Sequence, residues 1–333
     1  MISVLVPAYN CARWIEDALR SMAGQSLRPA EILVADDASV DGTADLVESL
    51  GIDGVRVLRS DGNHGISWQL NRLVEESKGR YLARMDGDDI ALPERLEIQL
   101  EAMRKRSLAI CGSWTRRFGA ADTLHKYSVD DAHLKAGILF SVPFCHPTVV
   151  IDRERLASPP SYDQAFNLAE DYHLWVRIRN SATFGNVPKV LLNWRMHSEN
   201  AGTNSRTAPL QRQTLSKVRG LILAEYGVSL DPAELKALED RGLSRTLGLE
   251  ESEAYLRALA KIATVPEELL GTSRSILRES LSEHWNLSCL FSAWSTTSIL
   301  PLWWRGHRTL GRIPTPSVGA KIVLKRALRR TRS

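Results

Sequence analysis

The sequence predicts an α/β domain, a mostly parallel sheet flanked by helices, followed by a helical appendage. Three observations carry this reading. Strand and helix signals alternate through the first hundred residues with short loops between them. Acidic clusters follow two of the predicted strands. From about residue 206 onward, apolar residues recur at helical spacing alone. The expected division is a catalytic α/β domain over 1–205 and a helical region over 206–333.

The elements follow in order. Ile2–Val6 is a short β-rich run, and Trp14, Ala18, Leu19 and Met22 then share one helix face. Glu31–Ala35 is a second strand. Ser39-Val-Asp-Gly opens a short helix reaching Leu50, and Val55–Leu58 is a third strand. Ile66–Glu76 reads as a helix, Arg80–Met85 as a fourth strand, and Pro93 sits at the first turn of a helix running to Arg104. Between 108 and 200 the pattern predicts strands at Ala109–Gly112, Thr148–Ile151 and Val190–Trp194, with a helix near Asp171–Arg179. Beyond 206, Leu215, Val218, Leu221 and Ile222, then Leu235 and Leu238, then Tyr255, Leu256, Leu259 and Ile262 mark successive helices.

The composition, 44% hydrophobic and 25% charged over 333 residues, is that of a globular protein with a sizeable core. Cys11, Cys111, Cys145 and Cys289 form no C-x-x-C pair, so scattered thiols in a reducing compartment are expected, with neither a zinc site nor a disulfide framework. The chain opens directly on a strand-like run, so no secretory signal is expected. The net charge of +4 hides an asymmetry: after Glu283 there are nine basic residues and no acidic one, and without those nine the balance is −5. A basic end of this kind points to an anionic surface, membrane before nucleic acid.

The chemistry lies in the carboxylates. Asp36-Asp37 follows the apolar run Ile32–Ala35, and Asp86-Gly-Asp88-Asp89 follows Tyr81–Met85. Both clusters fall at carboxyl ends of predicted parallel strands, where the ligand crevice of such a sheet lies. Five carboxylates around one crevice repel one another, and a hard divalent cation, Mg²⁺ or Mn²⁺, would offset that cost while bridging to phosphate. Against this stands the structural alternative, since Asp-Gly marks turns and Asp caps helices. Neither a G-x-G-x-x-G nor a G-x-x-x-x-G-K-[ST] loop occurs, which removes backbone cradling of phosphate as the device.

Five motifs in order, Val6-Pro-Ala-Tyr-Asn10, Asp36-Asp-Ala-Ser-Val-Asp-Gly-Thr43, Asn63-His-Gly65, Asp86-Gly-Asp-Asp89 and Glu170-Asp-Tyr-His-Leu-Trp175, resemble those of family-2 glycosyltransferases with the GT-A fold, a Rossmann-like sheet. The resemblance covers residues 1–200. It implies that Asp36 and Asp37 read the nucleotide base, with Asp37 accepting a ring N–H, and that Pro7, Tyr9, Asn63 and Gly65 line base and ribose. It implies further that Asp86 faces ribose and metal, that Asp88 binds the metal, and that Asp171 is the general base. Asp89 caps the next helix or assists the metal. Without the resemblance, Glu170-Asp171 reads as an acidic pair favourable to a helix dipole. Arg195 and His197 are two apart on a predicted strand and share a face. Arg195 suits phosphate, and His197 suits the metal or the diphosphate. His146 and Glu170 stand as acceptor-side candidates.

The expected activity is a metal-dependent, inverting transfer of a sugar from a nucleotide-diphosphate sugar, UDP before GDP, to a hydroxyl acceptor, a glycan that is lipid-linked in some cases. Two alternatives remain. A sugar-nucleotide nucleotidyltransferase would carry a Gly-rich basic loop after the first strand, where this chain has Pro7-Ala-Tyr-Asn-Cys-Ala. A non-catalytic sugar-nucleotide binder would not require Asp88 and Asp171. The tail completes the reading. Residues 285–304 are uncharged but too polar for a membrane span, and a buried helix pair is expected there. From Lys321, residues Val323, Leu324, Ala327 and Leu328 share one helix arc, basic residues take the rest, and Ile322 is the apolar exception. With Trp303 and Trp304 as interfacial anchors, this predicts peripheral attachment to the cytoplasmic face of a membrane, and no nucleic-acid partner.

Overall fold

A computed structural model describes residues 1–200, 204–242, 246–292, 299–314 and 316–330. It divides into two compact units, Met1–Leu134 with Val142–Val218, and Lys135–Ser141 with Arg219–Ser333.

The first unit opens with the expected alternation: β1 (Ile2–Ala8), α1 (Ile15–Ala23), β2 (Glu31–Asp36), α2 (Thr43–Ser49), β3 (Val55–Arg59), α3 (Ile66–Glu76) and β4 (Tyr81–Arg84). These strands pair in parallel in the order β3-β2-β1-β4. β1 and β2 are apolar on both faces because helices cover the sheet, and Val4, Val6, Ile32 and Val34 pack with Ile15, Leu19 and Met22 of α1. Next come β5 (Ile90–Ala91), α4 (Arg95–Arg106), β6 (Ile110–Gly119), β7 (Thr123–His125), α5 (Asp131–Gly137), β8 (Val150–Asp152), α6 (Glu170–Ile178) and β9 (Phe184–Met196).

The sheet continues β4-β8-β6-β9-β5, with β7 on β6. Here the parallel expectation gives way: β4–β8, β6–β8, β6–β7 and β5–β9 are antiparallel, and only β6–β9 is parallel. β6 and β9 run well beyond the predicted Ala109–Gly112 and Val190–Trp194, because ladder pairing through residue 196 recruits polar residues that periodicity assigns to loops. The two-residue β5 gives no periodic signal at all.

α7 (Thr207–Glu225) follows β9, and the division between the units falls within it. The second unit holds α8 (Pro232–Gly242), α9 (Leu249–Ile262), α10 (Glu267–Leu270), α11 (Arg274–Ser292), α12 (Ile299–Thr309) and α13 (Pro316–Arg330). The polar residues of 285–304 are explained by packing. Trp285 is fully buried, its indole N–H donates to the Trp303 carbonyl (3.1 Å), and Trp303 donates to Asn286 Oδ1 (2.7 Å). Gly306 permits this, since a Cβ there would lie 2.1 Å from the Trp285 indole nitrogen. α11 and α12 are thus the expected helix pair; Ser295, Thr296, Thr297 and Ser298 lie outside the described residues. One tail expectation is overturned: Trp303 is buried, so it is no surface anchor. Ile322, the apolar exception to the arc, is buried as well, while Val323 and Leu324 of the arc stand exposed. The side chains of Arg326, Ala327, Leu328, Arg329 and Arg330, and all of Arg332, lie outside the described residues. Among the described residues no helix is long and apolar enough to cross a membrane.

Candidate active site

The loops after β1 and β2 are stitched together. Asn10 and Ala38 adopt left-handed backbone at φ 49° and 59°. Val40 N–H donates to Asn10 Oδ1 (2.9 Å), and Asn10 N–H donates to Ser39 Oγ (2.9 Å). Asp41 accepts from Ala12 N–H (3.0 Å) and from the Thr43 hydroxyl (2.6 Å). Ser39, Asp41 and Thr43 of the second motif therefore hold the loop, leaving Asp36 and Asp37 at its mouth.

These two buried carboxylates differ. Asp37 accepts N–H bonds from His64 (2.8 Å), Gly65 (2.9 Å) and Gln69 (2.5 Å). Gly65 is required there, since its φ of 85° is costly for any residue with a Cβ. Asp36 accepts only from Ser39 N–H (3.1 Å), and its Oδ1 is buried without a partner. Pro7, half-buried, lies near the end of β1, Tyr9 is exposed on the loop after it, and Asn63 is exposed on the loop after β3. The structure joins Asn63–Gly65 to Asp37, while β1 separates the Asp36–Asp37 pair from the second acidic cluster on β4.

In that second cluster, carboxylate oxygens of Asp86, Asp88 and Asp89 lie within 4.8 Å of one another. Burial and then the Asp86 charge raise the pKa of Asp88 and, further, of Asp89. Asp89 keeps one buried oxygen unpartnered. Three converging hard-oxygen donors whose mutual repulsion a cation would relieve fit Mg²⁺ or Mn²⁺. Gly87 lets the turn approach α1: a Cβ would lie 2.9 Å from Cys11 Sγ and 3.0 Å from Ile15 Cδ1.

The end of β9 closes on this turn. Arg195 N–H donates to Asp89 Oδ1 (2.8 Å), and its Nε donates to the Asp88 carbonyl (2.7 Å), with the guanidinium 4.6 Å above the Phe118 ring. His197 Nε2 lies 2.8 Å from Asp88 Oδ2, and its ring stacks on Trp14 at 4.3 Å. The two side chains two apart thus reach one aspartate.

Glu170 and Asp171 form the first turn of α6, entered from Leu168 at φ 71°. Burial raises both carboxyls, Glu170 to about 8 with help from the Asp171 charge, and Asp171 to about 6, where the Tyr172 N–H (2.6 Å) and Arg84 hold it lower. The Asp86 charge is felt at both, so the α6 pair and the β4 cluster are neighbours. His146 is buried, meets Tyr162 Oη at 3.2 Å, and is kept neutral by burial and by Arg84.

Arg84 is the residue the sequence reading passed over. It is 5% exposed, its Nη2 lies 2.5 Å from Asp86 Oδ1, and its Nε and Nη1 have no partner. A charged residue inside the otherwise apolar strand Tyr81–Met85 was the available signal.

Residues 3–155 match the model of glycosyl transferase family 2. Over those residues the chain is similar to the family-2 glycosyltransferases. Over 208 residues it is 28% identical to EpsE of Bacillus subtilis (strain 168), covering 60% of this chain and 74% of that protein. Over 215 residues it is 26% identical to WfgD of Escherichia coli, a UDP-Glc:α-D-GlcNAc-diphosphoundecaprenol β-1,3-glucosyltransferase, covering 64% of this chain and 83% of that one. The enzyme spans only 33% of a chondroitin synthase and 24% of a hyaluronan synthase that it also matches. Staphylococcus aureus TarS 1–349, solved with UDP-GlcNAc, shares the GT-A fold with TM-score 0.56 at 18% identity, over 87% of this chain and 90% of that one. Other relatives are named for O-antigen biosynthesis, WbnJ of Escherichia coli, and for teichuronic acid biosynthesis, TuaG of Bacillus subtilis (strain 168).

Proposed function

We propose that this glycosyltransferase moves a sugar from a UDP-sugar to a hydroxyl of a growing surface glycan, with inversion and with a divalent cation. The observation that carries the proposal is the three-carboxylate cluster of Asp86, Asp88 and Asp89 beside the buried Glu170–Asp171 pair. Asp88 and Asp86 would hold the cation, with His197 beside Asp88, and the bound cation would supply Lewis-acid assistance to the departing diphosphate. Asp36 offers its open oxygen to a ring N–H of the base, and Asp37 fixes the Asn63–Gly65 loop against it. Pro7 and Tyr9 complete that wall. Arg195 braces the Asp88–Asp89 turn next to the diphosphate, and His146 and Glu170 border the acceptor.

Asp171 takes the acceptor hydroxyl proton as oxygen bonds to the anomeric carbon. The bond from that carbon to the diphosphate oxygen breaks, and the electron pair leaves with the nucleoside diphosphate. One displacement from the opposite face inverts the carbon. A carboxylate titrating near 6 is suited to this work at neutral pH. A UDP donor and a lipid-diphosphate acceptor are supported by WfgD. Such an acceptor places the enzyme peripherally on the cytoplasmic face of a membrane, held by its basic C-terminal end.

A thermal-shift panel of UDP, GDP and CDP with and without Mn²⁺ tests the donor site, because a ligand raises the melting temperature by mass action. UDP with Mn²⁺ is expected to give the largest shift. An equal shift without metal, or a larger one with GDP, overturns the corresponding part. Release of UDP, and not pyrophosphate, separates transfer from nucleotidyl transfer.

A further inference from the structure

Six of the thirteen large apolar side chains that stand exposed among the described residues fall between 287 and 324. They are Leu287 and Phe291 on α11, Trp304 on α12, Ile313, and Val323 and Leu324 on α13. Leu287 and Phe291 are four apart on one helix face, 46% and 42% exposed. Lys325 joins the helices: its Nζ donates to the Leu290 carbonyl (3.0 Å) and lies 5.7 Å from the Phe291 ring centroid. Beside it, Val323 and Leu324 are 51% and 60% exposed. The buried Ile322, and Gly319 against the Trp303 ring, seat α13 on this bundle, so it is a built part of the second unit.

We infer that the exposed apolar side chains of α11 and α13, Phe291 and Leu324 among them, form the surface that enters an anionic lipid bilayer. This rests on the membrane-side reading above and changes its agent from a free amphipathic tail to a preformed two-helix face. Several exposed apolar side chains gathered on one helical unit mark an interaction surface. The charge identifies the partner. No acidic residue occurs after Glu283 while nine basic ones do, Lys321 and Lys325 flanking the apolar face. An apolar face rimmed by lysine suits the boundary between acyl chains and anionic headgroups. A preformed face has no helix to order on binding, which removes an entropic cost that a free tail would carry.

The test uses full-length protein sedimented with vesicles of phosphatidylcholine alone or with 30% phosphatidylglycerol. The unaltered enzyme is expected to bind the anionic vesicles and to lose them in high salt. Phe291→Ser combined with Leu324→Ser is expected to lower partitioning at least tenfold, with donor hydrolysis and melting temperature unchanged. Leu124→Ser, an exposed apolar site in the first unit, leaves binding intact. Lys321→Glu weakens it on anionic vesicles alone. If the unaltered enzyme binds neither vesicle, both the membrane reading and this face fail. If it binds and the double variant binds equally well, the face is wrong while the membrane reading stands. If sedimentation equilibrium gives a dimer that the double variant dissociates, and vesicles are ignored, the occupant is a second copy and the proposal is overturned.

Discussion

In the proposed mechanism Asp88 and Asp171 carry the two halves of the chemistry, and each has its own signature. Asp88→Asn removes a charged ligand from the oxygen cluster, so Mn²⁺-dependent UDP binding should weaken at least tenfold by calorimetry; unchanged binding would move the metal elsewhere. Asp171→Asn should leave UDP affinity intact and lower transfer by about 10²–10⁴-fold, the usual cost of losing a general base. Its pH profile follows from the sign of the shift. The reactive form is the carboxylate, and burial raises its pKa to about 6, so turnover should fall as pH drops through 6. Glu170 makes a complementary prediction about stability. Its folded pKa is raised to about 8 from an ordinary 4.5, so ionising it in the folded protein is unfavourable and stability is lost as pH rises from 4.5 to 8. Glu170→Gln should therefore raise the melting temperature at pH 8 more than at pH 5, and an equal gain at both would remove burial as the cause.

Elements bring these residues together by close approach. The Asp86-Gly-Asp88-Asp89 turn can lie against α1 only because Gly87 has no side chain there. Gly87→Val should push α1 and Trp14 away from His197, costing about 1–3 kcal/mol in denaturant unfolding and weakening UDP·Mn²⁺ binding together. Normal binding in a destabilised variant would separate α1 packing from the site. Arg84 belongs to the same scale, since β4 holds a guanidinium beside Asp86 that also acts on Glu170 and Asp171 of α6.

For the whole molecule, every residue assigned to donor or base lies in the unit of Met1–Leu134 and Val142–Val218. Mass action then predicts an uneven response to ligand. In scanning calorimetry, UDP with Mn²⁺ should raise the transition of that unit, identified by its absence of response in Asp88→Asn, and leave the α8–α13 transition in place. A common upward shift of both would mean that the units unfold as one.

The first four strands, their parallel pairing and the strand-end positions of Asp36, Asp37, Asp86 and Asp88 were legible in the sequence, whereas the order β3-β2-β1-β4 was not. Apolar period and turn chemistry are local properties, and a parallel sheet imposes its site at the carboxyl ends of its strands. The last of the five ordered motifs likewise marked Asp171, and the two-residue spacing on a predicted strand marked Arg195 and His197. The antiparallel half of the sheet, the length of β9, the different partners of Asp36 and Asp37, and the buried Arg84 required the tertiary structure. So did the burial of Trp303 and of Ile322. In each case the deciding contact joins residues far apart in the chain, as Arg195 meets Asp89 or Ile322 is buried in its bundle, and no local pattern encodes which of several chemically similar side chains finds such a partner.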